Sequence, residues 1–281
     1  MNRAGSARTY NNRVQQTGGR LVADRYAIDK IIARGGVAEV YRARDTRGGD
    51  ADVALKLIPA AAVAVPAARR HFEQSAIVRK LVTHPSVVRV FDHGELPDGR
   101  IYVAMEFVEG GDLRERLARG GGLDQASALD ILGHVCGGLE AAHRAGVVHG
   151  DLKPENIMLP LDGGPPKIVD FIGLRRVEPD GTIIGTPAYM APEQLRGDPP
   201  CVPSDIFSLG VMAFEMLTGR LPFGRGTAGE VQLQQARGIP RVDGVTAGLD
   251  AAIRAALSTD PDRRAPSAAA FAQLLESARE E

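Results

Sequence analysis

The sequence predicts an α+β fold in two unequal parts: a small, mostly antiparallel β part carrying one main helix, then a larger helical part. Three observations lead there. β-type runs at Tyr26 to Lys30, Ile31 to Tyr41, Val53 to Ile58, Val87 to His93 and Ile101 to Phe107 crowd the first part of the chain. From Asp112 onward apolar residues recur at helical spacing, so strands gather before helices instead of alternating with them. A hydrophobic content of 44% in 281 residues is enough for a sizeable core.

Each element has a local reason. The first two strands are joined by Ala33-Arg34-Gly35-Gly36-Val37-Ala38, whose glycines suit a tight turn. Val53 to Ile58 is a β-type run with Lys56 embedded in it. Pro66 opens a helix predicted over Ala67 to Leu81, a stretch without further Gly or Pro. Asp112 is placed to cap a short helix ending at Gly120 to Gly122. Asp124 to Ala145 carries Ala128, Leu129, Leu132, Val135, Leu139 and Ala142 at helical spacing, with Gly146 as the stop. Ser204 to Leu217 is apolar nearly all round, as a buried helix is, with Asp205 as its cap. Further helices are predicted near Thr227 to Arg237, Gly248 to Ser258 and Ser267 to Arg279.

Composition excludes several function classes. The net charge of -1 argues against general nucleic-acid binding. No apolar run approaches the ~18 residues of a membrane span, since Ala60 to Ala68 is broken by Pro66, so neither an anchor nor a signal peptide is expected. Residues 1–20 are polar and predicted to be a disordered tail. No sensor or anchoring domain is expected after Glu281, and the expected location is cytoplasmic. Cys136 and Cys201 have no metal spacing and read as unpaired thiols of a reducing compartment. His134 and His143 stand nine apart, which is wrong for a metal pair on one helix face.

The chemistry concentrates in Val147 to Leu159. Two apolar runs flank His149-Gly150-Asp151-Leu152-Lys153-Pro154-Glu155-Asn156, so a short loop is strapped to a core by its own ends. Asp151 could orient and deprotonate a hydroxyl, Lys153 could neutralise a phosphate oxygen, and the Asn156 amide oxygen could ligate a divalent metal. That is a phosphoryl-transfer set. Alone it is also compatible with a surface turn. Its neighbours are Lys167-Ile168-Val169-Asp170-Phe171, an apolar strand ending in a second candidate metal ligand; Val53-Ala54-Leu55-Lys56 upstream; and Gly185-Thr186-Pro187-Ala188-Tyr189-Met190-Ala191-Pro192-Glu193 downstream. Lysine is rare here, at five of 34 basic residues, and two of the five, Lys56 and Lys153, sit at the two positions in these segments where a compact, directional ammonium is needed.

The order of these four segments, from about Leu21 to Arg279, resembles the bacterial eukaryotic-like Ser/Thr protein kinases. The resemblance implies a bilobal kinase fold, with a tail at 1–20, an N-lobe at 21–108 and a C-lobe at 109–281. It implies ATP with Mg²⁺ or Mn²⁺ as cofactors and a protein substrate with a Ser/Thr acceptor. It gives Asp151, Lys153 and Lys56 catalytic roles and makes Asn156 and Asp170 the metal ligands. Gly35 and Gly36 would cover the nucleotide phosphates. Met105 would be the gatekeeper of a hinge whose Glu106 and Val108 backbone meets adenine, with Val40, Ala54 and Met158 lining the slot. His149 would be a structural hydrogen-bonding residue, Asp205 would hold the catalytic loop backbone, and Arg264 would pair with Glu193.

Departures from the family pattern leave other functions open. Ala33 and Ala38 replace two glycines of the phosphate-covering turn. Ser75 takes the place of the helix glutamate that pairs with the strand lysine, Glu73 being two residues away and on another face. Ile172 replaces the glycine after Asp170-Phe171. Gly150 replaces an arginine that reads a phosphorylated activation loop; here that loop, Asp170 to Glu193, has Thr182 and Thr186 as acceptors. Three readings follow: an active Ser/Thr protein kinase without loop control, a pseudokinase that binds nucleotide or serves as a scaffold, and a small-molecule phosphotransferase. The last is disfavoured by the Gly185 to Glu193 platform.

Overall fold

In a computed structural model, residues 21–34, 38–64, 82–171, 176–177, 183–184 and 186–279 are described. The predicted tail at 1–20, the Gly35-Gly36 turn, the helix predicted over Ala67 to Leu81 with Glu73 and Ser75, Ile172 and Thr182 lie outside the described residues.

The first part is a six-stranded antiparallel sheet in the order β1-β2-β3-β4-β6-β5. Its strands are β1 (Leu21–Val22), β2 (Tyr26–Arg34), β3 (Glu39–Asp45), β4 (Ala51–Ile58), β5 (Val90–Glu95) and β6 (Ile101–Glu106). Alternation gives it two apolar faces. Val40 pairs with Lys56, Ala54 with Met105 and Lys56 with Val103, which puts these residues on one face. There Ala38, Ala54, Val103 and Met105 are buried in one cluster, with Val40 and Val108 packed against it. The other face buries Tyr26, Val53, Leu55, Leu57, Tyr102 and Ala104. It is closed by Asp92, whose carboxylate accepts from Arg25, Tyr26 and Tyr102.

Two predicted strand limits are corrected. The first strand does not break after Lys30; two bulges absorb the irregularity and it continues to Arg34. The strand predicted from Val87 begins at Val90, because Val87 bridges to Ile168 instead.

The second part is helical. Its elements are α1 (Leu113–Gly120), α2 (Gln125–Arg144), α3 (Pro192–Leu195), α4 (Val202–Thr218), α5 (Ala228–Arg237), α6 (Ala247–Ala256) and α7 (Ala268–Ser277). Asp112, Asp124, Thr227, Thr246 and Ser267 accept from backbone N–H groups at their helix starts, as their residue types dispose them to. Asp205 is not the cap of α4. Cys201 holds that position and Asp205 lies within the first turn, fully buried. Helix α4 is buried from Ser204 to Met216 and forms the axis around which α2 and α6 pack. Burial of each large side chain such as Phe207, Phe214 or Leu209 contributes about 1.5–3 kcal/mol. A small sheet of β7 (Gly110–Asp112), β8 (Ile157–Pro160) and β9 (Lys167–Ile168) lies where the two parts meet, and β10 (Arg176–Val177) pairs with β11 (Ile183–Ile184). No described helix is long and apolar enough to cross a membrane.

Candidate active site

The loop from His149 to Asn156 is held from below by one buried acid. Asp205 accepts the backbone N–H groups of His149 and Gly150, each at 2.8 Å, and its second oxygen also meets His143 Nε2 at 2.8 Å. A carboxylate with three short partners is satisfied in a dry interior, and the loop backbone is the part that gains a fixed position. His149 adds a second tie. Its Nδ1 accepts from the Asp151 N–H at 3.2 Å while Nε2 donates to the Val169 carbonyl at 3.0 Å. The structural role expected for His149 is thus met, and its ring packs on Phe171 at 4.8 Å.

Gly150 is required by its surroundings. Its φ is +76°, and a Cβ there would stand 2.8 Å from the Pro200 ring. Its carbonyl accepts from Gln194 Nε2 at 2.8 Å. Any larger residue would have to displace Pro200 as well as adopt a left-handed backbone.

The candidate catalytic groups converge. Lys153 Nζ donates to Asp151 Oδ2 at 2.7 Å and reaches Thr186 Oγ1 at 3.4 Å. Asn156 Nδ2 donates to the Asp151 carbonyl at 2.7 Å, which commits the amide NH₂ and leaves the oxygen as the acceptor. Lys56 Nζ meets Asp170 Oδ1 at 2.5 Å across the two parts of the molecule. Lys56 therefore has an acid among the described residues, though not one from the helix where the family pattern would place it. Burial pushes the Asp170 carboxyl up, but the charge and hydrogen bond of Lys56 outweigh this and hold it below the usual carboxylate range. Asp170 has φ +63°, a left-handed conformation that Asp tolerates better than most residues. With Phe171 buried against His149, this turn aims the acid at Lys56.

The donor set suits a hard divalent cation. One amide oxygen and one carboxylate with a spare oxygen leave positions for phosphate and water, as Mg²⁺ prefers, and no cluster of three His, Cys, Asp or Glu side chains exists among the described residues. On the sheet side Val40, Ala54, Met105 and Val108 share one apolar cluster. Met158 is half-buried on β8, outside that cluster. Ala38 has no positive φ and its methyl is buried among these residues, so the change from glycine introduces no strain at this point.

Sequence reasoning missed a second network. Arg114 of α1 reaches Glu155 at 3.1 Å and Glu215 at 2.7 Å, and the Tyr189 hydroxyl touches both Arg114 and Glu215. Burial, reinforced by Glu215, pushes the Tyr189 phenol far up, so it stays a donor. These four residues come from α1, the loop from His149 to Asn156, the segment before α3, and α4, up to 101 positions apart, and no local pattern links them. Arg264 and Glu193 form the expected bidentate pair at 2.6 and 2.8 Å. Cys136 is buried, its thiol pushed up to about 12 by burial, and inert; both cysteines are free.

The profile of the family described as the protein kinase domain matches residues 26–276. The chain belongs to the protein kinase family. Among curated relatives, the serine/threonine-protein kinase PknB of Mycobacterium leprae is 35% identical over 263 residues, covering 88% of this kinase-family chain and 42% of the relative. PknL of Mycobacterium bovis is 36% identical over 272 residues, covering 93% of this chain and 67% of its own length. The chain thus spans less than half the length of the PknB proteins it matches. The crystal structure of a variant of the Mycobacterium tuberculosis PknI kinase domain superposes with a TM-score of 0.73 at 26% identity, over 90% of this chain and 94% of that one. The curled antiparallel sheet and the helical part are therefore the two lobes of a kinase fold.

Proposed function

We propose that this protein is an active, Mg·ATP-dependent Ser/Thr protein kinase that transfers the γ-phosphate to protein hydroxyls, in one unit spanning 21–281 with its lobes meeting at 108/109. The observation that carries the reading is the convergence of Lys56 on Asp170 at 2.5 Å with Lys153 on Asp151 at 2.7 Å. Asp151 orients the acceptor hydroxyl and takes its proton, and Lys153 neutralises charge on the transferred group. Thr186 keeps Lys153 and Asp151 in register, which favours Ser/Thr acceptors. Lys56 grips the α- and β-phosphates; Asn156 and Asp170 would hold Mg²⁺, which when bound neutralises phosphate charge and orients the γ-phosphate. Gly35 and Gly36 cover the phosphates, while the Glu106 and Val108 backbone meets adenine in the slot lined by Val40, Ala54, Met105 and Met158. The setting of these steps is cytoplasmic.

Control by activation-loop phosphate is absent in this reading. Position 150, beside Asp151, is glycine and not the arginine that would read a phosphate. Thr182→Ala with phosphatase treatment should leave the rate within about twofold, whereas a fall of the order seen on losing a charge clamp would return loop control to the account.

The alternative of a pseudokinase is favoured by Ser75 and Ile172, which affect positioning and remove no group that touches phosphate or metal. Lys56→Met separates the two. For a kinase, Lys56→Met lowers phosphate transfer by orders of magnitude; a wild type that is thermally stabilised by Mg·ATP yet transfers nothing would make the chain a nucleotide-binding pseudokinase.

A further inference from the structure

Each residue from Lys167 to Asp170 is held by a bond to another segment of the chain. Asp170 meets Lys56. The Val169 N–H donates to the Asn156 carbonyl at 2.9 Å, and its carbonyl accepts from His149. Ile168 exchanges bonds with the loop before β5, donating to the Ser86 carbonyl at 2.9 Å and accepting from the Val88 N–H at 3.0 Å. Lys167 reaches farther. Its ammonium donates to the Pro85 carbonyl at 2.9 Å and pairs with Glu106 Oε1 at 3.0 Å. The other Glu106 oxygen accepts from the Arg89 N–H at 3.2 Å, and the Glu106 N–H donates to the Arg89 carbonyl at 2.8 Å.

We propose that Lys167 and Glu106 form a clamp fixing the linker between the lobes to β9, whose continuation carries Asp170, which makes Lys167 a positioning residue for nucleotide retention. The proposal rests on the kinase reading, in which the Glu106 backbone meets adenine and Asp170 holds metal. Both ends of the pair are anchored, Lys167 in β9 and Glu106 by its exchange with Arg89, so the contact transmits position instead of swinging free. The Lys167 and Glu106 side chains are 18% and 30% exposed, which removes much of the solvent screening of a surface pair. The choice of lysine fits: in a chain that uses arginine for most positive charge, a compact ammonium with three donors sits between a carbonyl and a carboxylate without a planar fork's demand for two coplanar acceptors. Nucleotide escape requires the linker to move relative to Asp170. The clamp resists that movement.

The test uses the whole chain, with ADP as the nucleotide probe. Hydrogen exchange is followed without nucleotide at the Arg89 amide, which the Glu106 carboxylate protects, and at 86–89 and 106–108. ADP dissociation is followed by stopped flow. Lys167→Met and Glu106→Gln should each speed exchange at Arg89 and release ADP roughly fivefold faster, with the double variant no faster than either single one, because both remove one pair. Lys167→Arg should restore part of the effect, and all variants should unfold within a few degrees of wild type. Unchanged Arg89 exchange, additive effects in the double variant, or acceleration spread over the whole chain would overturn the clamp. If wild type binds no ADP, the kinase reading fails, and the exchange arm still decides whether the pair holds the linker.

Discussion

At the scale of single residues, the site is governed by what each charged group has within reach. Asp170 is held below its usual carboxylate range by Lys56, with the sign worked out as follows: a depressed folded-state value contributes stability above the ordinary carboxylate range and loses it as pH falls through the folded value. The stability gap between wild type and Asp170→Asn should therefore be flat from neutral pH to about 5 and narrow below about 4, measured by urea unfolding at a series of pH values. A gap that closes between about pH 6 and 8 would mean that a different group titrates. Asp205 is a stronger case, since it has no solvent to fall back on. Asp205→Ala orphans two backbone N–H groups and His143 in the interior and should cost about 3 kcal/mol, read from the denaturation midpoint. The meeting of Asp151, Lys153 and Asn156 was legible because they are spaced along one short segment. The Arg114, Glu155, Tyr189 and Glu215 contacts were not, because each partner arrives from a separate element.

At the scale of elements, strands and helices were legible to the extent that their apolar residues match what is buried. The near-continuous apolar run of Val53 to Ile58 and the apolar stripe of Asp124 to Ala145 describe β4 and α2 closely, since β4 is buried on both faces and α2 packs its stripe on one core surface. Val87 could not be read as leaving its strand, because its bridge is to Ile168, 81 residues on. The position of Asp205 misled for a related reason. An acid near a helix start usually caps it, but here Cys201 holds the cap position before α4 and the acid turns inward to the loop of His149 and Gly150. Helix α1 earns its place through Arg114 as much as through Leu113 and Leu117. Arg114→Met leaves Glu215 buried without a cation and should lower stability by about 3 kcal/mol, while Tyr189→Phe, which keeps that cation, should cost about 1 kcal/mol. Equal losses for the two variants would contradict this division. Gly150→Ala should cost about 1–2 kcal/mol from its left-handed backbone, and Pro200→Gly should recover none of that conformational part.

At the scale of the whole molecule, the polar contacts between the two lobes among the described residues include groups of the candidate site. Lys56 with Asp170 and Glu106 with Lys167 both connect the six-stranded sheet to β9 and its continuation. The Arg264 and Glu193 pair, nearly inaccessible to solvent, binds α3 to the loop between α6 and α7, so the platform that includes Thr186 and Tyr189 is anchored to the large lobe. Two lobes were foreseeable from the order of strands and helices, whereas their joining was not, because lobe contacts depend on side chains more than 60 residues apart. The central claim is that these groups transfer phosphate. The most direct measurement is incorporation of the γ-phosphate of Mg·ATP into the protein and into a generic Ser/Thr substrate, beside Asp151→Asn with nucleotide binding measured in parallel. Transfer that disappears in Asp151→Asn while nucleotide binding persists is the predicted result. Transfer retained in that variant, or absent from a wild type that binds nucleotide, would contradict it.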